Sequence, residues 1–194
     1  MTGTGLIILK VYLLTGLIFH KALWEVMKRR QNAGQAKGKP ASLTSQIIKL
    51  VKLMVLAGIV IQTILPDILP ISNDPQTIRL TGLFIFTLGL LTAIAARVQL
   101  GNNWSDIEDG KIANKHAVVS SGIYGYIRHP IYTGDILLLI GLELCLNSWL
   151  VLGVVVLAPV VAAQAIREEK KLINALPDYE EYTRQTKRFI PFLV

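Results

Sequence analysis

Tyr124-Gly125-Tyr126-Ile127-Arg128-His129-Pro130-Ile131-Tyr132-Thr133-Gly134-Asp135 joins a polar segment to an apolar run that begins at Ile131. Basic, imidazole, phenolic and acidic groups share these twelve residues at the edge of a hydrophobic stretch. The next strongly polar cluster, Arg167-Glu168-Glu169-Lys170-Lys171, follows two apolar runs, residues 131–146 and 149–166. Read as the arms of a helical hairpin turning at Asn147-Ser148, the runs nearly match, with 16 and 18 residues. At about 1.5 Å of rise per residue, both polar clusters then return to one level and face each other. The spacing predicts one site built from two motifs that are far apart in the chain.

Working outward, composition identifies the solvent. The 194 residues are 52% hydrophobic and only 17% charged, and the mean hydropathy is +0.49. Soluble domains of this size carry more charge. Several long apolar runs point to an integral membrane protein. The formal net charge of +7 reads as topology-setting cations beside apolar spans, because no basic stripe with interleaved aromatics accompanies it. The single cysteine, Cys145, allows no intrachain disulfide and reads as a small core residue. Met1-Thr2-Gly3-Thr4 lacks the basic region of a secretory signal, so the first apolar run reads as a retained span.

The expected fold is all-α, with five membrane-embedded helices in a single domain. Residues 1–99 supply three helices, and residues 100–194 supply the hairpin, the cofactor pocket and a tail. The first helix is expected over residues 5–27, with Lys10 snorkelling toward water and His20, Lys21 and Trp24 marking an interface. The second runs from a cap at Thr44 or Ser45 to Leu65. The third covers residues 76–96, and its Gly82, Gly89, Ala93, Ala95 and Ala96 suit close helix contact in lipid. Lys28, Arg29, Arg30, Lys37 and Lys39 lie between helices one and two, whereas the next connection carries Asp67 and Asp74. The expected orientation therefore puts the amino terminus outside and the carboxy terminus and site on the cytoplasmic face. Asp135, within one turn of that face, is a site candidate because an acidic group in a membrane segment is costly; Glu143, near the hairpin tip, meets the far boundary.

The ordered motifs carry a resemblance. They comprise Leu100-Gly101-Asn102-Asn103-Trp104-Ser105, the segment from Lys115 to Tyr124 with His116 and Val118, and Arg128-His129-Pro130-Ile131-Tyr132-Thr133-Gly134. Glu168-Glu169 and a tail with Tyr179, Tyr182, Arg188 and Pro191 complete the set. From Leu100 onward the chain closely resembles the isoprenylcysteine carboxyl methyltransferase family, which takes in related phospholipid methyltransferases. A short histidine-proline match is weak; the ordered set at this spacing is strong.

That resemblance implies methyl transfer from S-adenosylmethionine to the carboxylate of a prenylated cysteine or similar membrane amphiphile. It implies cofactor contacts at His116, Val118, Tyr126, His129, Pro130, Tyr132, Gly134, Glu168 and Glu169, with Arg128 and Arg188 orienting the acceptor carboxylate. The cofactor arrives from water and the acceptor sideways from lipid. Adjacent glutamates on a helix point about 100° apart, so Glu168 and Glu169 take different parts. Pro130 fits a first helical turn, and Gly134 lets a cofactor or another backbone approach. A carboxylate is already nucleophilic, so alignment and exclusion of water matter more than a base. Two other activities fit less of the pattern: amine methylation of a phospholipid, and an NADPH-dependent reductase resembling the sterol reductases. Taken singly, Arg128, Lys170 and Lys171 are ordinary interfacial cations, and Trp104, Tyr124, Tyr126 and Tyr132 an aromatic belt. The histidines show no metal-ligand spacing.

Overall fold

The computed structural model describes residues 3–32, 43–65, 67–103 and 117–192. Among these residues six α-helices follow one another: α1 (Gly3–Asn32), α2 (Leu43–Ile64), α3 (Gln76–Leu100), α4 (Pro130–Cys145), α5 (Val151–Ala175) and the short α6 (Tyr179–Gln185). Among the described residues two 3-10 turns, Gly101–Asn103 and Gly122–Gly125, lie between α3 and α4. Among the described residues the only β pairing is two isolated bridges. Among the described residues three helices are long and apolar enough to cross a membrane: Gly3–Arg30, Gln76–Leu100 and Val151–Ala175. The described part of α2 contains a shorter apolar stretch, Leu53–Ile64, and α4 has 16 residues.

The main seam joins α3 to α4, and small residues make it. Gly82 and Gly89 on α3, and Gly134 and Gly141 on α4, recur at intervals of seven, so each pair stays on one face. A Cβ on Gly82 would lie 2.5 Å from the Cys145 nitrogen, and one on Gly134 would lie 2.6 Å from the Ala93 nitrogen. On Gly89 and Gly141 it would run into the backbone nitrogens of Leu138 and Phe86. The two helices therefore meet backbone to backbone, and the predicted small-residue face serves internal packing. Leu9 and Leu13 of α1 close a core with Phe86, Leu90, Leu138, Leu142, Cys145 and Leu146.

A polar knot fixes the hairpin tip. Asn147 takes a positive φ of 55°, a conformation that asparagine tolerates better than most residues. Its amide donates to Ser72 O at 2.8 Å and to Asp67 Oδ2 at 3.2 Å, while its own Oδ1 accepts from Ser72 N. Asp67 in turn receives Arg79 Nη2 at 2.6 Å on both oxygens. Glu143, expected at the far boundary, is instead buried and accepts from Gln62 at 2.8 Å. Lys10, expected to snorkel outward, turns to the end of α2 and donates to Leu65 O at 2.5 Å. In each case a nearby protein partner satisfies a group that lipid would leave unpaired.

Several boundaries differ from expectation. Helix α1 extends to Asn32 and α3 to Leu100. Helix α5 continues nine residues beyond the expected arm and ends where Leu176, pushed to an extended conformation (φ −125°, ψ 112°), precedes Pro177. Glu168 and Glu169 consequently ride on the helix itself rather than past its end.

Candidate active site

Helix α4 begins at Pro130, whose missing N–H costs nothing in a first turn. The residues just before it pair with the tail in parallel. Arg128 N donates to Lys187 O at 2.8 Å, His129 N to Arg188 O at 3.0 Å, and Lys187 N to Tyr126 O at 3.1 Å. Thr133 Oγ1 adds a bond to Phe189 O at 3.1 Å. The tail is thereby laid along the base of α4, at the level where α5 presents its two glutamates.

Glu169 is the hub. Arg128 Nε donates to its Oε1 at 2.8 Å, and Arg188 reaches both oxygens, with Nη2 to Oε2 at 2.7 Å. His129 Nε2 lies 3.1 Å from Oε1, within donating distance. Three donors around one buried carboxylate satisfy it in the way a buried charge requires. Arg128 also donates to Thr183 O at 3.1 Å and to Thr186 O, so it clasps the tail as well as Glu169. Its side chain is only 9% exposed, against 31% for Arg188. Both expected acceptor-orienting cations are engaged by Glu169, and Arg188 is the one that keeps an open edge.

Glu168 points elsewhere. Its Oε2 accepts from the Tyr132 hydroxyl at 3.0 Å, and its side chain stays 22% exposed against 6% for Glu169. The Tyr132 ring stacks on His129, with centroids 5.4 Å apart and planes 16° apart. One glutamate is thus locked in an ionic knot while its neighbour sits at the accessible rim. The two polar motifs predicted to converge do so, within hydrogen-bond distance.

Behind the knot, the tail's tyrosines form a buried wall. Tyr182 donates to Tyr124 O at 2.7 Å and packs its ring on Tyr179. Burial pushes the Tyr182 phenol up to about 12 and those of Tyr124 and Tyr179 up as well, so all three stay protonated near neutrality. The bond to Glu169 raises Arg188 above its ordinary value.

The remaining predicted residues are placed differently. Val118 lies partly buried outside any helix, Pro130 is fully buried, and Tyr126 is exposed with its ring edge on Phe192. Gly134 faces the Ala93 backbone, so its openness is filled by α3 rather than left for a cofactor. His116 and Trp104 lie outside the described residues. Sequence reasoning missed the Thr183 and Thr186 carbonyls, which carry no side-chain signal. It also missed the pairing of His20 with Asp135, at 3.1 Å between α1 and α4. The cost of Asp135 in an apolar helix was the available signal, but nothing named its partner. Among the described residues no group of His, Cys, Asp and Glu is arranged to hold a metal ion.

With this geometry in hand, comparison with known proteins is specific. The phospholipid methyltransferase family profile matches residues 77–177. A protein-S-isoprenylcysteine O-methyltransferase of Schizosaccharomyces pombe is 31% identical over 109 residues, covering 55% of this chain and 46% of the relative. A cobalt-zinc-cadmium resistance protein of Cupriavidus metallidurans is 33% identical over 111 residues, covering 56% and 50%. The chain spans about half the length of these curated relatives. A solved structure of the eukaryotic intramembrane Ras methyltransferase, an isoprenylcysteine carboxyl methyltransferase, superimposes with a TM-score of 0.63 at 16% identity. It covers 100% of this chain and 70% of that one, which shows a shared fold. Since the family profile spans just over half of its residues, from the start of α3 to the end of α5, the chain belongs to the phospholipid methyltransferase family.

Proposed function

We propose that this protein transfers a methyl group from S-adenosylmethionine to the carboxylate of a prenylated cysteine or similar membrane amphiphile, giving a methyl ester. The observation that carries this reading is the Tyr132–Glu168 contact at 3.0 Å, beside the closed Glu169 knot. It leaves one acidic group accessible at the base of apolar helices, where a cofactor from water and an acceptor from lipid can meet. Relatives named as isoprenylcysteine O-methyltransferases support the acceptor class.

The residues fit the cofactor by the chemistry of their donors and acceptors. Glu168, as a hydrogen-bond acceptor, suits ribose hydroxyls or an amino group. His129 and Tyr132 form the stacked wall beside it. Bound there, S-adenosylmethionine would supply an electrophilic methyl group. The chain's own work is positioning. Glu169 fixes Arg128, His129 and Arg188; Arg188 presents its partly open edge to the acceptor carboxylate; and the folded-back tail excludes water. We also place the site on the cytoplasmic side of five membrane-embedded helices, on the strength of the basic residues after α1.

Wild-type protein in nanodiscs, given methyl-labelled S-adenosylmethionine and N-acetyl-S-farnesylcysteine, should form a base-labile labelled ester. Titration should show binding of S-adenosylhomocysteine and none of NADPH. Label confined to the amine of phosphatidylethanolamine would overturn the carboxylate reading in favour of phospholipid methylation.

A further inference from the structure

His20 and Asp135 are ionisable groups in apolar helices that the site described above does not use. Nε2 of His20 lies 3.1 Å from Oδ1 of Asp135, and their side chains are 20% and 37% exposed. Asp135 stands three residues beyond Tyr132, about 4.5 Å further along α4 toward the hairpin tip. The pair therefore sits on the apolar side of the Tyr132–Glu168 contact. Trp24 packs on the His20 ring with centroids 4.8 Å apart, and Arg97 of α3 lies 5.6 Å over Trp24. Its own helix also carries Lys21 and the Glu25–Arg29 pair, and Glu168 of α5 bonds Tyr132 on the helix that carries Asp135.

An acceptor drawn from lipid brings a carboxyl group out of water. Desolvation favours the neutral acid, which is not the nucleophile that methyl transfer needs. Histidine is the side chain suited to take a proton near neutrality, and an adjacent carboxylate stabilises the imidazolium that results.

We propose that His20, beside the carboxylate of Asp135, accepts the proton of the acceptor's carboxyl group on the lipid side of the site. This rests on the carboxylate reading above. Nε2 of His20 and Oδ1 of Asp135 are buried 3.1 Å apart without a hydrogen bond between them, so Asp135 acts on the ring by charge, and in the Nε2–H tautomer Nδ1 keeps its lone pair. The O–H bond of the acid breaks, its electron pair stays on oxygen, and the proton forms an N–H bond at Nδ1. The carboxylate then takes the methyl group, and the imidazolium, balanced by Asp135, releases its proton to water at its exposed edge. His20 acts as a proton acceptor; Asp135 is a positioning residue.

The test compares wild type, His20→Gln and Asp135→Asn in nanodiscs, measuring kcat/KM for ester formation from pH 6 to 9.5 and binding of S-adenosylhomocysteine. His20→Gln should lose roughly 100-fold at pH 6.5, with the deficit shrinking as pH rises and the acceptor ionises unaided. Asp135→Asn should lose less, and both should bind S-adenosylhomocysteine within about twofold of wild type. A deficit equal at every pH, or no deficit in His20→Gln, would overturn the proton-accepting role while wild-type esterification stands. Absence of ester from wild type at every pH would overturn the parent reading, and this inference with it.

Discussion

Arg188 grips both oxygens of Glu169, with Nη2 2.7 Å from Oε2 and Nε 3.1 Å from each oxygen, across nineteen residues of chain. The next carboxylate, Glu168, makes its bond to Tyr132 instead. Two identical side chains, one helical step apart, therefore divide into a structural anchor and an accessible group. The division follows from the 100° step and from the tail lying along only one of the two faces.

That division predicts opposite phenotypes. Glu169→Gln strands Arg128 and Arg188 without a charge partner, and breaking a buried pair costs about 3–5 kcal/mol. The Arg188 half counts for less because that side chain is 31% exposed. A lower Tm and faster tryptic cleavage in the tail should follow. Glu168→Gln should melt like wild type yet bind S-adenosylhomocysteine roughly 10-fold more weakly, as expected for a lost bond to a charged group. Equal melting of the two variants would contradict the assignment.

The α3–α4 seam gives a second contrast. A Cβ on Gly141 meets the Phe86 backbone, whereas one on Gly153 of α5 meets nothing within 4 Å. Backbone cannot swing aside as a side chain does, so Gly141→Ala should destabilise by about 1–3 kcal/mol or more. Gly153→Ala should be neutral or slightly stabilising. Thermal melting in detergent reads both, and similar curves for the pair would remove the seam from the account.

Much of this was legible beforehand, for identifiable reasons. Matched lengths of two apolar runs carry the convergence of Tyr132 with Glu168, because helical rise is nearly fixed. Gly82, Gly89 and Ala93 announce a close helix contact by their spacing. The parts that were not legible depend on partners chosen in three dimensions. Arg128 looks like a substrate-binding cation in one dimension, and only the folded-back tail shows it closing on Glu169, Thr183 and Thr186. Lys10 and Glu143 likewise seemed bound for water until α2 offered them Leu65 O and Gln62.

The tyrosine wall makes stability depend on alkaline pH. Burial raises the Tyr182 phenol to about 12, above its ordinary value of 10. Between those values the unfolded chain has released a proton that the fold still holds, so stability is complete below pH 10 and falls as pH rises toward 12. Tyr124 and Tyr179 shift in the same direction and add to the slope. Tm should be flat up to about pH 9.5 and then decline, and Tyr182→Phe should lower Tm at neutrality while reducing that decline. A Tm unchanged between pH 10 and 12 would show that these hydroxyls titrate as if exposed.

The knot at the hairpin tip tests whether the two ends of the fold are separable. Asn147 supplies a positive φ, two donated bonds and one accepted bond. Asn147→Ala loses all of these and leaves Ser72 O and Asp67 short of donors. Asp67 is exposed and Ser72 half-buried, so water takes up part of the loss and each bond counts for about 0.5–1.5 kcal/mol. Asn147→Gly loses the same bonds but keeps the backbone relaxed, so it should sit between wild type and Asn147→Ala in Tm. The knot lies at the opposite end of α4 from Tyr132, roughly 20 Å away at helical rise. Both variants should therefore bind S-adenosylhomocysteine with wild-type affinity at temperatures well below their melting points. A matching loss of affinity would mean that the hairpin transmits strain along its whole length, and that the tip belongs to the working site.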